Sequence, residues 1–512
     1  MRFRRTITAV SASAAVAGMW LPAQAAQAAP GTHYYTLRIN AIDRAGHGTP
    51  IQPVVVENGL ATSGNGQVFK VTAGRYLVAA AVPTPIPNSS EPSLTMIAET
   101  VTVSRNTTVI LDARKGKLLK VAFNVPGAQQ VFQGGALCDG LVGIGGMLAG
   151  VYDDPTGTTY VAPLPKGVTL FWQSRWQSAN GTLYDLAGSG AAGSKAAPDF
   201  TGRLSELAKV NLQLRTGTSA AGASSGVILD QGANCEPGGD LLQVNAPWGA
   251  IDYMQAGAWA AQVNIGARSL WWNGGFKAGH SYSLDFGAAV AGPWLPSITG
   301  PLFPEFNGQQ LAFGAEGLIG DPVAQSSSDC SGRVTTTLIR GSRVLKTTHG
   351  DLCGGGLDAR LASSGWYRLQ VTGTQASELS TKVTLNWRFY ARTGPEQSWP
   401  EAFPVTLTEF RADGLNLENA AAPGAQTRIV AQIVKGAYPD SPTPRNVLNS
   451  VRILASFDGG TTWQSLRLAR SGNYWIAEIT DPASGFVSLR SVVTNTAGDS
   501  STQTIYNAYA IG

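Results

Sequence analysis

The sequence predicts an all-β protein built of tandem β-sandwich domains, and three observations predict it. Apolar residues alternate with period two from residue 33 to the carboxy terminus, as strands with one buried face require. Gly reaches 61 of 512 residues and punctuates these runs, so turns are frequent and helices few. Charged residues make up 14%, against roughly 25% in an average globular chain. The stretch Val451-Arg-Ile-Leu-Ala-Ser-Phe-Asp-Gly-Gly-Thr-Thr-Trp-Gln-Ser-Leu-Arg-Leu468 states the plan. Val451, Ile453 and Ala455 share a face, and Asp458-Gly459 is expected to supply the positive φ angles of a tight hairpin.

At the amino terminus, Met1-Arg-Phe-Arg-Arg5 is a cationic head. An Ala-rich apolar stretch runs from it to Leu21, followed by the small-residue patterns Ala23-Gln-Ala25 and Ala26-Gln-Ala28. Together they predict a secretory signal peptide over residues 1–28. A membrane anchor would need about 20 strongly apolar residues, more than this segment offers. The residues around Arg4-Arg5 fit the twin-arginine pattern poorly, and the export route stays open. Removing Arg2, Arg4 and Arg5 with this segment lowers the formal charge from +4 to +1. A chain this close to neutral gives no electrostatic case for nucleic acid or, once the signal is removed, for a membrane. It is also too long for one core, and about three or four domains are expected.

Residues 30–116 read as the first sandwich. Tyr35-Thr-Leu-Arg-Ile-Asn-Ala41 alternates, Asp43-Arg-Ala-Gly46 turns, and Gly74-Arg-Tyr-Leu-Val-Ala-Ala-Ala-Val82 is apolar enough to be buried on both faces. Residues 101–111 are expected to close it as a hairpin over Arg105-Asn106. Residues 117–280 form a β-rich middle domain, in which Val168, Leu170, Trp172 and Trp176 fall on one face of a strand. Leu204-Ser-Glu-Leu-Ala-Lys209 has helical character before Val210-Asn-Leu-Gln-Leu214 alternates again. The Gly-rich passages 134–150 and 188–193 read as loops. Residues 281–395 return to strands at 334–340, 366–371 and 381–389, with a turn at Gly341-Ser342. A linker over 396–404 leads to the last sandwich, 405–512, whose strands at 486–493 and 502–506 flank a turn at Ala497-Gly498-Asp499.

Four cysteines, Cys138, Cys235, Cys330 and Cys353, fit no zinc spacing, and an even count in an exported chain points to disulfides. The segment between Cys330 and Cys353 looks like one strand pair within one domain, which favours joining them and leaves Cys138 with Cys235. Each bond would stabilise by roughly 3–5 kcal/mol in the loop-entropy account. The alternative is two free thiols or a catalytic cysteine, for which no suitable His context is present.

The order of elements in residues 30–116, a D-x-x-G turn, G-R-Y-x-V and a terminal T-V-x-L-D, resembles the prealbumin-like modules attached to many secreted bacterial enzymes. Further on stand Ala162-Pro-Leu-Pro-Lys-Gly167, Tyr367-Arg-Leu369, Leu379-Ser-Thr-Lys-Val-Thr-Leu-Asn-Trp-Arg-Phe389, Leu415-Asn-Leu-Glu-Asn419, Gly485-Phe-Val-Ser-Leu-Arg490 and Ala497-Gly-Asp-Ser-Ser-Thr-Gln-Thr-Ile-Tyr-Asn-Ala-Tyr509. These resemble the non-catalytic carboxy-terminal half of secreted subtilisin-like serine peptidases from high-GC Gram-positive bacteria. The resemblance implies Ig-like, fibronectin-like and prealbumin-like sandwiches in an accessory role. A secreted peptidase or a cell-wall or extracellular polymer is the partner it suggests.

The family's peptidase domain is missing. Asp43, His47-Gly48-Thr49 and Gly217-Thr218-Ser219 echo its triad motifs, but Asp43 and His47 flank one turn, no helix pattern follows His47 and no proline follows Ser219. His33, His47, His280 and His349 lack ligand spacing, so no metal or cofactor is called for. Asp153-Asp154 before Pro155 reads as a solvated turn, and no D-x-D-x-D-G run supports calcium. Ser456-Phe-Asp-Gly-Gly-Thr-Thr-Trp463 fits the Asp-box pattern once, which excludes a propeller. Its Ser and Asp are expected to bond turn amides over a packed Trp463. The binding candidates are therefore aromatic: Trp271, Trp272, Trp172 and Trp176. Trp271 and Trp272 point to opposite faces if extended, so one could be exposed. The expected function is a secreted, non-catalytic binding or structural accessory. The alternatives are polysaccharide or wall binding through those tryptophans, or a hydrolase with a site within 117–280.

Overall fold

The computed structural model describes residues 33–57, 60–63, 66–89, 91–139, 147–151, 158–190, 199–217, 223–230, 240–265, 268–294, 304–321, 326–328, 330–396, 401–402, 405–435 and 447–512. The expected signal peptide lies outside them, as do residues 397–400 and 403–404 of the expected linker. Among the described residues the helical elements are two 3-10 turns, Ala113–Lys115 and Leu204–Glu206, and every other element is a strand. No helix there is long and apolar enough to cross a membrane. The protein is all-β, built of stacked sheets as sandwiches require.

Among the described residues of the amino-terminal half a two-stranded sheet pairs Lys120–Phe123 with Asp199–Gly202, and four larger sheets stack. In the first, Tyr35–Ile42 pairs with Gly48–Thr49 and Val68–Val71 and runs parallel to Thr107–Asp112. The second runs Leu60–Ser63, Val54–Glu57, Gly74–Thr84, Ser93–Val103, Thr159–Val161, Lys117–Leu118. One of its faces meets the first sheet through Tyr76, Val78, Ala80 and Val82. Its other face, with Ala79, Met96 and Ala98, meets Leu137, Leu170, Trp172 and Leu186 of the third. Burial on both faces explains the apolar run from Tyr76 to Pro83 within Gly74–Thr84. The expected boundary at 116/117 falls inside this hydrogen-bonded sheet, because Thr159–Val161 pairs with Ser93–Val103.

The third sheet has seven strands, in the order Met147–Val151, Gln129–Asp139, Val168–Gln177, Leu183–Gly190, Trp248–Gln255, Leu207–Leu214, Ser281–Phe286. Its far face packs through Val210, Leu212, Met254 and Phe286 on a five-stranded sheet built around Ala223–Asp230, Gly257–Ile265 and Arg268–Phe276.

In the carboxy-terminal half one nine-stranded sheet serves both expected sandwiches. Its order is Arg343–Asp351, Arg333–Arg340, Gly365–Thr374, Lys382–Ala391, Ser500–Ile511, Gly485–Asn495, Leu448–Ser456, Gln464–Ser465, with Ala420–Ala421 beside Ser500–Ile511. The two sequence-distant parts join where Lys382–Arg388 pairs with Ser500–Tyr506. One face is covered by two four-stranded sheets, one including Gln310–Gly314 and the other Thr406–Asp413, over a single core that runs from Ala289 to Ile511. The halves are tied by Asn419, whose Nδ2 donates to Gly287 O and whose Oδ1 accepts from Ala289 N, and by Arg215, which donates to Leu415 O and Asn416 O.

Four local expectations are corrected. Residues 101–111 do not form a hairpin: Ser93–Val103 stays in the second sheet while Thr107–Asp112 crosses to the first, so Val103, Val109 and Leu111 enter one core from opposite walls. Much of 134–150 and 188–193 is strand, with 140–146 and 191–193 outside the described residues. Their glycines mark close approach rather than turns, since a Cβ on Gly188 would lie 2.8 Å from the Trp172 ring. The helical expectation shrinks to Leu204–Glu206, and Leu207 onward alternates into the core as strand. Residues 457–463 form a longer loop than a tight hairpin turn, closing on the Leu454–Ser465 and Ala455–Gln464 pairs.

The Cys330–Cys353 disulfide is present, with Cα atoms 5.0 Å apart at the open end of the Arg333–Arg340/Arg343–Asp351 hairpin. Cys138 is disulfide-bonded too, and its expected partner, Cys235, lies outside the described residues.

Candidate functional site

Alternation decides which side chains each strand aims inward. On Val168–Gln177, Val168, Leu170 and Trp172 face the second sheet, which sends Gln173 and Arg175 to the opposite side, into the sandwich of the third and fourth sheets. There the Arg175 Nε donates to Asp185 Oδ1 at 3.0 Å and Oδ2 at 3.2 Å, and both side chains are 0% exposed. Gln173 beside them donates to Leu229 O of the facing sheet at 2.7 Å. Asp252, on the adjoining strand, is equally buried and lies against Asp185. Burial first, and the Asp185 charge second, push its pKa well above the usual carboxylate range. The shift favours the protonated form of Asp252 and leaves Arg175–Asp185 as the ion pair of the cluster. This acid pair has the composition of a proton-transfer site but is sealed within the core.

The sequence-selected tryptophans do not converge. Trp172 is 6% exposed, in the core, and stacks on Phe200 at 4.8 Å. Trp176 is half-buried against Phe123 at 6.1 Å. Trp272 packs on Phe276 at 5.5 Å and covers Gly274. Trp271 points the other way and is 46% exposed, as alternation requires of its neighbour. One flat ring on one sheet is what remains of the proposed aromatic surface. The histidines also stand apart: His47 N donates to Asp43 Oδ1, His280 is exposed in a turn, and His349 pairs with Thr335. Ser219 lies outside the described residues.

The Asp-box loop behaves as its residue types dictate. Asp458 accepts from Ser456 Oγ, Thr462 N and Thr462 Oγ1, and Gly460 N donates to Ser456 Oγ. The Thr462 bonds, first among these, hold the Asp458 carboxyl down at about 2. Trp463 donates to Gly460 O and carries the Arg490 guanidinium 3.9 Å above its ring. A groove of about 410 Å³ beside the Cys330–Cys353 bond includes Phe313, Glu316, Lys346, Thr348 and Leu357. Lys346 is already bonded to Asp358 O and Thr348 to Gly356 O, and burial alone raises Glu316.

The largest feature the sequence reading missed is the outward face of the nine-stranded sheet. Because Val383, Leu385, Trp387 and Phe389 fill the core, Lys382, Thr384, Asn386, Arg388 and Tyr390 point away from it. The register extends this pattern sideways. Arg368 lies opposite Arg388, Gln370 and Thr502 flank Asn386, and Thr372 and Thr504 flank Thr384. Arg490 stands next to Thr504, and Arg452 next to Val492. Arg388 stacks over Trp366 at 3.8 Å and donates to Gly498 O; Tyr390, 45% exposed, meets Trp366 edge-on. The strands Gly365–Thr374, Lys382–Ala391, Leu448–Ser456, Gly485–Asn495 and Ser500–Ile511 contain no Asp or Glu. That absence was readable; which side stays uncovered was not.

No family model matches the chain, and no curated protein does. Among solved structures, the Bacillus anthracis TIE protein is 8% identical over 71% of this chain and 67% of its own, with a TM-score of 0.13. A streptococcal ancillary pilin is 10% identical over 49% of this chain and 98% of its own, with a TM-score of 0.11. A Salmonella alpha-2-macroglobulin is 11% identical over 90% of this chain, with a TM-score of 0.16, and the chain spans 34% of its length. Nothing is carried over from likenesses this slight.

Proposed function

We propose that this chain is a non-catalytic binding or structural protein that acts outside the cytoplasm. The observation that supports it best is the burial of Arg175, Asp185 and Asp252. Among the described residues the carboxyl shifted furthest upward is that of Asp252, and the side chains of its set are out of reach of solvent, while Glu305 and Glu316 are raised by burial alone. The ion pair of this set joins two neighbouring strands of the third sheet, Val168–Gln177 and Leu183–Gly190. The Cys330–Cys353 bond and the signal-like residues 1–28 support an oxidising, exported setting. The likeness of its motifs to peptidase accessory regions supports a secreted peptidase or a wall polymer as partner.

The test is a broad panel of peptidase and glycosidase substrates on the chain purified by gel filtration. No turnover is expected. Turnover that co-elutes with the protein and disappears in Asp252→Asn, with the fold kept, would overturn the proposal and make the buried acid pair catalytic.

A further inference from the structure

The outward face of the nine-stranded sheet carries arrangements that stability alone does not favour. Like charges directly opposite each other on neighbouring strands are destabilising, yet Arg368 faces Arg388 with no carboxylate on either strand. Lys382, Arg452 and Arg490 add to the same side. Carboxylates at the borders are committed elsewhere. Asp499 is buried and accepts from Tyr390 N and Asn495 Nδ2, Asp458 is bound within its own loop, and Asp351 is turned onto the Cys353 and Gly354 amides. With a whole-chain charge of only +4, this concentration on one surface is local.

We propose that this face binds an extended polysaccharide bearing carboxylates, an inference that rests on the non-catalytic reading above. Charge complementarity chooses the sign of the ligand. Stacking over Trp366 and Trp463 holds Arg388 and Arg490 flat on the sheet, and planar guanidinium forks match carboxylates. The chemistry between the cations chooses a glycan. Thr372, Thr384, Gln370, Asn386, Thr502 and Ser500 present hydroxyls and amides that can both donate to and accept from sugar hydroxyls. Arg368, Arg388, Ser500 and Thr494 lie side by side on four successive strands, and at about 4.8 Å between strands this row spans roughly 15 Å, which is long enough for several sugar units of a chain lying across the strands. Nucleic acid is disfavoured because the cations are sparse and interleaved with uncharged groups, and because the nearly neutral chain lacks the basic balance of nucleic-acid-binding domains.

The experiment is affinity electrophoresis of the full chain through gels containing polygalacturonate, neutral dextran or single-stranded DNA. Arg368→Gln/Arg388→Gln is compared with Arg411→Gln/Arg428→Gln, which removes the same charge from the opposite four-stranded sheet. Expected is retardation by polygalacturonate that weakens about tenfold in the first double variant, is unchanged in the second, and fades with added salt. No retardation, equal retardation by dextran or DNA, or equal loss in both variants overturns the proposal. Polygalacturonate bound but shortened would leave this face standing and sink the non-catalytic reading. Absence of both binding and cleavage does the reverse.

Discussion

Arginine is used in opposite ways in the two halves of the molecule. In the amino-terminal half Arg175 is sealed between sheets, held by Asp185, with Asp252, its pKa raised by burial, beside them. In the carboxy-terminal half Arg368, Arg388, Arg452 and Arg490 stand on an open sheet face, on four strands that carry no acid. The first arrangement makes charge a structural element, because a buried ion without its partner is very costly. The second leaves charge available, and water, stacking and turn carbonyls keep it there. The contrast predicts that the inner arginine controls stability and the outer ones do not.

The largest expected effect tests the sealed side. Arg175→Met leaves two carboxyls in the core with no cation, and the unfolding free energy of the amino-terminal half should fall by about 3–5 kcal/mol, read from urea denaturation. An unchanged midpoint would mean that water reaches Asp185, and the comparison would collapse. The tryptophans sharpen it next. Trp172→Ala empties a packed site over Gly188 and should cost about 3–5 kcal/mol, whereas Trp271→Ala should stay within about 0.5 kcal/mol. Comparable losses would place both rings in the core.

Asp252 gives a pH-dependent test. Its native pKa is raised, so both states are protonated in strong acid and the full contribution is present there. As pH rises past the usual carboxylate value the unfolded state ionises first, and stability is lost at roughly 1.4 kcal/mol per pH unit until the native pKa is reached. Asp252→Asn removes that titration and keeps the size and polarity of the side chain. The stability difference between variant and wild type should therefore move in the variant's favour as pH rises from acid to neutral. A difference that does not change with pH would show Asp252 ionised in the fold.

How much was legible follows the range of the interactions. Period-two alternation found the strands Tyr35–Ile42, Val168–Gln177, Gly365–Thr374 and Lys382–Ala391, because each face reports its own burial. The pairing of Cys330 with Cys353 was legible because one local hairpin joins them. Gly188 was misread because its reason, the Trp172 ring, lies on the neighbouring strand. The closure of 101–111 was misread because a hairpin and a crossing between sheets share one alternation pattern. For the site, Trp271 shows the limit: the sequence could say that it and Trp272 point apart, but the sheet says which one meets water. The cationic face was half-written in the missing acids of five strands. Its other half, that no further layer of the described residues covers it, is a property of the assembled sheets.

A small predicted effect has the most informative sign. Arg368 faces a like charge across the strand pair, and its own bond, to the Gly341 carbonyl, is long at 3.3 Å. Arg388, by contrast, is fixed over Trp366, so the two cannot be traded freely. Arg368→Gln keeps a polar, strand-compatible side chain and removes the repulsion, so it should raise stability by about 0.2–1 kcal/mol, measured by denaturation at low salt and shrinking as salt is added. A structural arginine would show the opposite sign. A residue that weakens the fold where it stands, and whose removal weakens polygalacturonate retention, is one kept for what it binds.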